Sequence, residues 1–150
     1  MDSGKIKLSI DSDIRQVQHV GEAVRCLCSQ LDLADAKPSS VELAVVEAVN
    51  NSIEHAYQSE TGNSVDVAFE YDAECLSIKI SDYGIPMPKN IAGTLKSEVS
   101  MPPYEVDVDR LPVSGWGMQL LKTVCDDVSY QRSKSCNTLS LSFKRMPVTA

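Results

Sequence analysis

Five short runs of this chain alternate apolar and polar residues without interruption, and this period of two constrains the fold more than any other feature. Ile6, Leu8 and Ile10 alternate with Lys5, Lys7 and Ser9; Val65, Val67, Phe69 and Tyr71 alternate with Asp66, Ala68 and Glu70. Leu76, Ile78 and Ile80 alternate with Ser77, Lys79 and Ser81; Val128 and Tyr130 with Ser129 and Gln131; and Leu139, Leu141 and Phe143 with Ser140, Ser142 and Lys144. A strand turns successive side chains to opposite faces, so each run predicts a strand with one buried and one wet face. Strands covered on both faces read as continuous apolar runs, so this pattern points away from a doubly wound parallel sheet and towards a mostly antiparallel one.

Three other segments follow the helical period. Ile14, Val17, Val24, Leu27, Cys28 and Leu31 recur at steps of three and four. A second helix is predicted after Pro38, with Ser39 or Ser40 as N-cap, running to about Tyr57 with Val45, Ala48, Val49, Ser52, Ile53 and Ala56 on its apolar face. A third opens at Gly115 to Gly117 and carries Leu120, Leu121, Val124 and Val128. Helices with apolar stripes need a sheet face to cover. The predicted fold class is therefore α+β: a two-layer α/β sandwich, with helices on one face of a mixed, mostly antiparallel sheet, forming a single domain over residues 1–150. A chain of this length buries roughly 68–70% of its unfolded surface without needing disulfides or metals.

Charge narrows the function. The net charge is −7, the wrong sign for an electrostatic nucleic-acid binder. It is also uneven: residues 38–78 hold eight acids and no Lys or Arg, so this stretch carries −8 and the remainder +1. No run approaches 18 apolar residues, so no membrane span is expected, and residues 1–10 lack the apolar core of a secretory signal. An odd count of five cysteines then fits reduced thiols in a cytoplasmic protein. Cys26 and Cys28 are two apart, which on a helix points them to nearly opposite faces, and no second Cys/His pair sits at zinc spacing.

Nine of the fourteen Gly and Pro residues fall within residues 84–117, so about thirty residues resist regular structure. Loops of that length in compact domains are commonly functional lids or disordered.

Three polar constellations surround this loop. Glu47, Asn51 and His55 are four apart and lie within roughly 80° of helical arc, bordering the apolar stripe. A carboxylate and an amide oxygen on adjacent turns suit a general base and a Mg²⁺ ligand; the spacing alone equally fits a solvated helix face. Asp82 shares the parity of Leu76, Ile78 and Ile80, so the pleat turns it inward, where a carboxylate needs a hydrogen-bond donor. Gly84 permits close approach or a positive φ, and Ile85 and Pro86 supply an apolar wall, so the set suits a flat amine-bearing ring such as adenine, or else a capped turn. Ser114-Gly115-Trp116-Gly117-Met118 then opens a helix, with backbone N–H groups that attract phosphate or, alternatively, a hinge closing the loop. No Walker A sequence is present.

The order of these pieces, from Glu47 through Asn51 and His55 to Tyr57, then Asp82-Tyr-Gly84-Ile-Pro86, then Ser114-Gly115-Trp116-Gly117, resembles the N-box and two glycine boxes of the GHKL (histidine-kinase-like) ATP-binding fold. Within it the chain most resembles the anti-sigma-factor serine/threonine kinases, through the Asn-x-x-x-His-x-Tyr ending at Tyr57, the Asp-x-Gly-x-Pro form, and the helix and strand following Gly117; the likeness covers about residues 6–144.

That resemblance implies roles. By the resemblance, Glu47 would be the catalytic general base towards an attacking serine, and Asn51 would ligate the Mg²⁺ that bridges the ATP phosphates. Asp82 accepts from the adenine amine, Gly84 and Pro86 line its approach, and His55 lies near the nucleotide. Residues 88–113 form an ATP lid whose basic residues are Lys89, Lys96 and Arg110, and the amides of Gly115, Trp116, Gly117 and Met118 meet the phosphates. The family often carries a Gly-Thr step at the last strand; here Cys136-Asn137-Thr138 stands there, with Asn137 at the adenine position by parity and Thr138 as the alternative. Trp116 occupies a position that is often Arg.

The implied cofactors are ATP and Mg²⁺. The implied partners are a sigma factor, a STAS-domain antagonist phosphorylated on serine, and a second copy of the chain docked through helix 14–31 and the nearby sheet edge; nucleic acid and membrane are not expected partners. A second reading keeps the fold but makes it a non-catalytic switch, with ATP ordering the lid to hold a partner. A third reading is a catalytic domain cut from a histidine kinase; with only about ten residues before the first helix, an upstream phosphoacceptor helix pair is not expected. Because the acidic stretch contains Glu47 and Asn51, nucleotide binding is expected to depend strongly on Mg²⁺.

Overall fold

The computed structural model describes residues 3–96 and 117–147. The five alternating runs form five strands: β1 (Gly4–Asp11), β2 (Ser64–Tyr71), β3 (Cys75–Asp82), β4 (Asp127–Ser133) and β5 (Cys136–Lys144). They make one sheet in the order β1-β2-β3-β5-β4, with every pairing antiparallel, so the parallel component allowed by a mixed sheet is absent among the described residues.

The register explains the alternation. Ile6, Phe69, Ile78, Leu141 and Val128 lie side by side across the sheet, as do Leu8, Val67, Ile80, Leu139 and Tyr130. These rows face the helices and, apart from Ile6 on the edge strand, which is exposed, build the core with Val20, Val24, Val41, Val45 and Val49. The rows of opposite parity, such as Lys7, Ala68, Lys79, Ser140 and Ser129, face away. One further inward row closes the sheet at its end, where Asp82 pairs with Asn137 and Asn137 with Arg132.

Tight turns hold the hairpins. Asp72 Oδ1 accepts from the amides of Glu74 and Cys75 at 2.8 and 2.9 Å between β2 and β3. Lys134 and Ser135, at φ 50° and 67°, join β4 to β5 in the two-residue form that matches strand twist.

The helical layer is α1 (Val17–Cys28, entered through a 3₁₀ turn at Ile14–Gln16), α2 (Pro38–Asn51), α3 (Lys89–Gly93) and α4 (Met118–Val124). Gly21 of α1 packs against Glu42 and Val46 of α2, and Arg25 clamps Glu42 through two bonds of 2.7 and 2.8 Å. Cys28 is buried, its thiol pushed up to about 11 by burial, while Cys26 on the other face is exposed.

Two boundaries differ from expectation. The N-cap of α2 is Lys37, not Ser39 or Ser40, because Pro38 takes the first helical position; its ring presets φ and its missing N–H is one the helix start does not use. Lys37 is extended, as a residue before proline prefers. At the far end the helix does reach Ala56, but its last turn, Ser52–Ala56, is widened to π geometry, with the Tyr57 amide reaching Ser52 O at 3.0 Å. Val128 belongs to β4 and not to the third helix.

Candidate nucleotide pocket

A small pocket opens between the end of α2 and the end of the sheet, lined by Ala48, Asn51, Ser52, Ala56, Ile80, Asp82, Ile85, Met87, Tyr130, Asn137 and Leu139. Its walls are aliphatic on both faces, with polar groups confined to a few positions, the ordinary make-up of a small-molecule site.

The π turn shapes one wall. Widening the last turn leaves the Ala56 carbonyl directed at the segment after β3, where the Ile85 amide donates to it at 2.9 Å. Gly84 lies directly beneath: a Cβ there would collide with the Ala56 carbonyl group. The fold therefore needs a glycine for backbone packing, apart from any approach of a ligand. Tyr57 locks the same junction, its buried hydroxyl donating to Ser64 O at 2.7 Å and accepting from Tyr83 N at 2.8 Å. Burial is the first cause holding its phenol above the usual range.

The opposite wall holds Asp82, only 6% exposed, as its parity predicts. Its Oδ1 accepts from Gly84 N at 3.1 Å and from Asn137 Nδ2 at 2.7 Å. Asn137 also donates to Gly84 O at 3.0 Å and accepts from Tyr130 Oη at 3.1 Å and Arg132 Nη1 at 2.8 Å. The Met87 amide donates to Tyr130 Oη at 2.8 Å. Met87 is buried in the pocket wall, whereas Pro86 is exposed and lines a cleft on the outer side with Arg132.

Asn51 is 4% exposed and lines the pocket. One turn earlier, Glu47 is half-buried, and its carboxyl is held above the ordinary range, first by burial and then by Glu54, against a lowering by His55. Glu47 meets the start of α4: Gly117, at φ 60°, caps that helix, and a Cβ on it would collide with the Glu47 carboxylate. His55 is half-buried in the π turn and is not among the residues lining the pocket; Met118 is buried in the core.

The structure thus brings Asn51, Asp82 and Asn137 to one cavity, with Glu47 and Gly117 in contact beside Asn51's helix. Gly115, Trp116 and Arg110 lie outside the described residues, as do the Lys96 side chain and residues 97–113 of the expected lid. Sequence reasoning assigned no role to Ser52, Tyr130 or Arg132. Tyr130 and Arg132 share the parity of Val128; the half-buried phenol of Tyr130 was the available signal, whereas Arg132, at the end of the strand, is exposed. No helix among the described residues is long and apolar enough to cross a membrane.

Residues 10–143 match the family described as Histidine kinase-like ATPase domain. No curated protein matches the sequence. Among solved structures, the RsbU and RsbW domains of Rv1364c from Mycobacterium tuberculosis superpose with a TM-score of 0.62 at 13% identity, over 98% of this chain and 34% of that one. The catalytic domain of histidine kinase ThkA gives 0.57 at 10% identity, covering 97% of each chain. The mycobacterial sensor histidine kinase MprB gives 0.53 at 17% identity, over 94% of this chain and 100% of that one. At such identities these likenesses establish the fold; the chain spans about a third of the length of the first.

Proposed function

The chain belongs to the histidine kinase-like ATPase domain family, and from that premise we propose that it binds Mg-ATP in the pocket between α2 and the sheet end, and acts as an anti-sigma factor and protein serine kinase. The observation that carries this reading is the pairing of a buried inward carboxylate, Asp82, with Asn51 on the facing helix, across a cavity with aliphatic walls. In this reading a planar base lies against Ala48, Ile80, Leu139 and Met87, which line the pocket, with its exocyclic amine donating to Asp82.

The residues suit a cation at the phosphate end. Asn51, buried at the pocket edge, would hold it, in a segment, 38–78, that contains no Lys or Arg. Bound Mg²⁺ supplies the positive charge that this segment lacks for a triphosphate. Glu47, one turn before Asn51, takes the proton from the attacking serine hydroxyl. The serine oxygen forms its bond to the γ-phosphorus as the bond to the β–γ bridging oxygen breaks, and ADP leaves. Such transfer rests on positioning and charge neutralisation, and the close approach of the Glu47 carboxylate to Gly117, where a Cβ would collide with it, supports a fixed position for the proposed base.

The acceptor in this reading is a serine on a STAS-type antagonist, and the second partner is a sigma factor, sequestered by a homodimer of this chain. A structural relative that carries RsbU and RsbW domains supports this assignment. The test incubates the chain with radiolabelled Mg-ATP and STAS proteins from neighbouring genes, followed by phosphoserine mapping. Transfer to one of them that Glu47→Ala abolishes is the expected result. Nucleotide-dependent partner binding without any transfer would replace the kinase reading with that of a switch.

A further inference from the structure

Asn137 stands between Asp82 on β3 and Arg132 on β4, as the register dictates. Its side-chain amide makes four hydrogen bonds: Nδ2 to Asp82 Oδ1 (2.7 Å) and Gly84 O (3.0 Å), and Oδ1 from Tyr130 Oη (3.1 Å) and Arg132 Nη1 (2.8 Å). A primary amide has two donor hydrogens and an oxygen with two lone pairs. All are used within the protein. The orientation follows from its neighbours, because a flipped amide would set oxygen against a carboxylate and a carbonyl, and N–H against a guanidinium. Tyr130 Oη accepts from Met87 N at 2.8 Å, so its own hydrogen goes to Asn137. Arg132, exposed on the outer side, also reaches Gly84 O at 3.3 Å.

Asn137 therefore has no bonding capacity left for a ligand, although it lines the pocket. What it does is hold Asp82. With Oδ1 taken by Asn137 and Gly84, no hydrogen bond from the described residues reaches Asp82 Oδ2.

We propose that Asn137 is a positioning residue for nucleobase recognition, which with Arg132 behind it locks the Asp82 carboxylate so that Oδ2 alone meets the purine edge. This rests on the nucleotide-binding reading above. A locked acceptor rewards the amine of adenine and repels the carbonyl of guanine at the same place; a carboxylate free to rotate discriminates less. Specificity at this site is thus set partly by a residue that makes no hydrogen bond to the base, through a guanidinium on the protein surface.

The experiment measures dissociation constants of Mg-ATP, Mg-GTP and Mg-tripolyphosphate, the last as a base-free reference, for wild type, Asn137→Asp and Arg132→Ala. Asn137→Asp keeps the side-chain shape and the acceptors for Tyr130 and Arg132, but sets oxygen against Asp82 Oδ1 and Gly84 O. The expected result is ATP binding weakened about tenfold or more, a smaller preference for ATP over GTP, and tripolyphosphate binding unchanged. Arg132→Ala, at an exposed position, should weaken ATP about threefold in the same selective way. Equal loss for all three ligands would make Asn137 a structural residue and overturn the proposal, as would wild-type ATP affinity and selectivity in a folded Asn137→Asp. Should Asn137→Asp not fold, unchanged ATP affinity and selectivity in Arg132→Ala would overturn it. Failure of wild type to bind any of the three would instead refute the nucleotide-binding reading itself.

Discussion

Gly117→Ala tests whether the start of α4 seats Glu47, and Gly62→Ala provides its control. Both glycines have left-handed backbones, at φ 60° and 91°. A side chain there costs about 1–2 kcal/mol whatever its surroundings. The surroundings differ: nothing lies within 4 Å of a Cβ on Gly62, whereas a Cβ on Gly117 would run into the Glu47 carboxylate and its stem. Relief requires Glu47 to leave its rotamer, adding about 0.5–1.5 kcal/mol. At roughly 2–4 °C per kcal/mol for a chain of this size, Gly62→Ala should melt a few degrees below wild type and Gly117→Ala a few degrees lower again.

The functional contrast should be much larger. Displacing a catalytic group by about 1 Å can cost on the order of a hundredfold in rate. Gly117→Ala should therefore lose phosphoryl transfer about a hundredfold at saturating ATP, with Gly62→Ala near wild type. Circular-dichroism melting and single-turnover transfer of labelled phosphate read the two effects separately. Gly117→Ala matching Gly62→Ala in both would refute the argument that this glycine exists to make room for Glu47.

Glu47→Gln should abolish transfer yet raise the melting temperature near neutral pH. Burial holds the folded-state pKa above the unfolded one, so folding favours the protonated carboxyl; that stability is complete below the ordinary carboxylate pKa and is lost as pH rises through the raised one. The gap to wild type should close below about pH 4, and wild-type transfer should fall on acidification through the same raised pKa. Asp82→Ala should weaken ATP binding by about ten- to a hundredfold in a titration, because a hydrogen bond to a charged group is lost at a buried site. Tyr57→Phe leaves Tyr83 N and Ser64 O without their bridge and should cost about 1–3 kcal/mol in urea denaturation. Excess EDTA should abolish ATP binding; equal affinity with and without it would contradict the role of the acidic stretch 38–78.

The sequence by itself determined the layers. Period two marked all five strands and set which residues face the helices, Asp82 and Asn137 included; period 3.6 marked α1, α2 and α4. These are local properties, carried by neighbours along the chain, and so can be read without a fold. The boundaries were less legible where two local signals competed: Ser39 and Ser40 looked like caps, but Pro38 occupies the first helical position and moves the cap to Lys37.

Only the tertiary structure decided how the pocket is held. Gly84 is required by the Ala56 carbonyl, which the π turn aims at it, and Gly117 by the carboxylate of Glu47. Asn137, which looked from its parity like a ligand contact, spends every donor and acceptor on Asp82, Gly84, Tyr130 and Arg132. Each of these pairings joins different elements of the fold, most of them far apart in sequence. The side-chain period says which way a residue points; only strand register and helix packing say what it finds there.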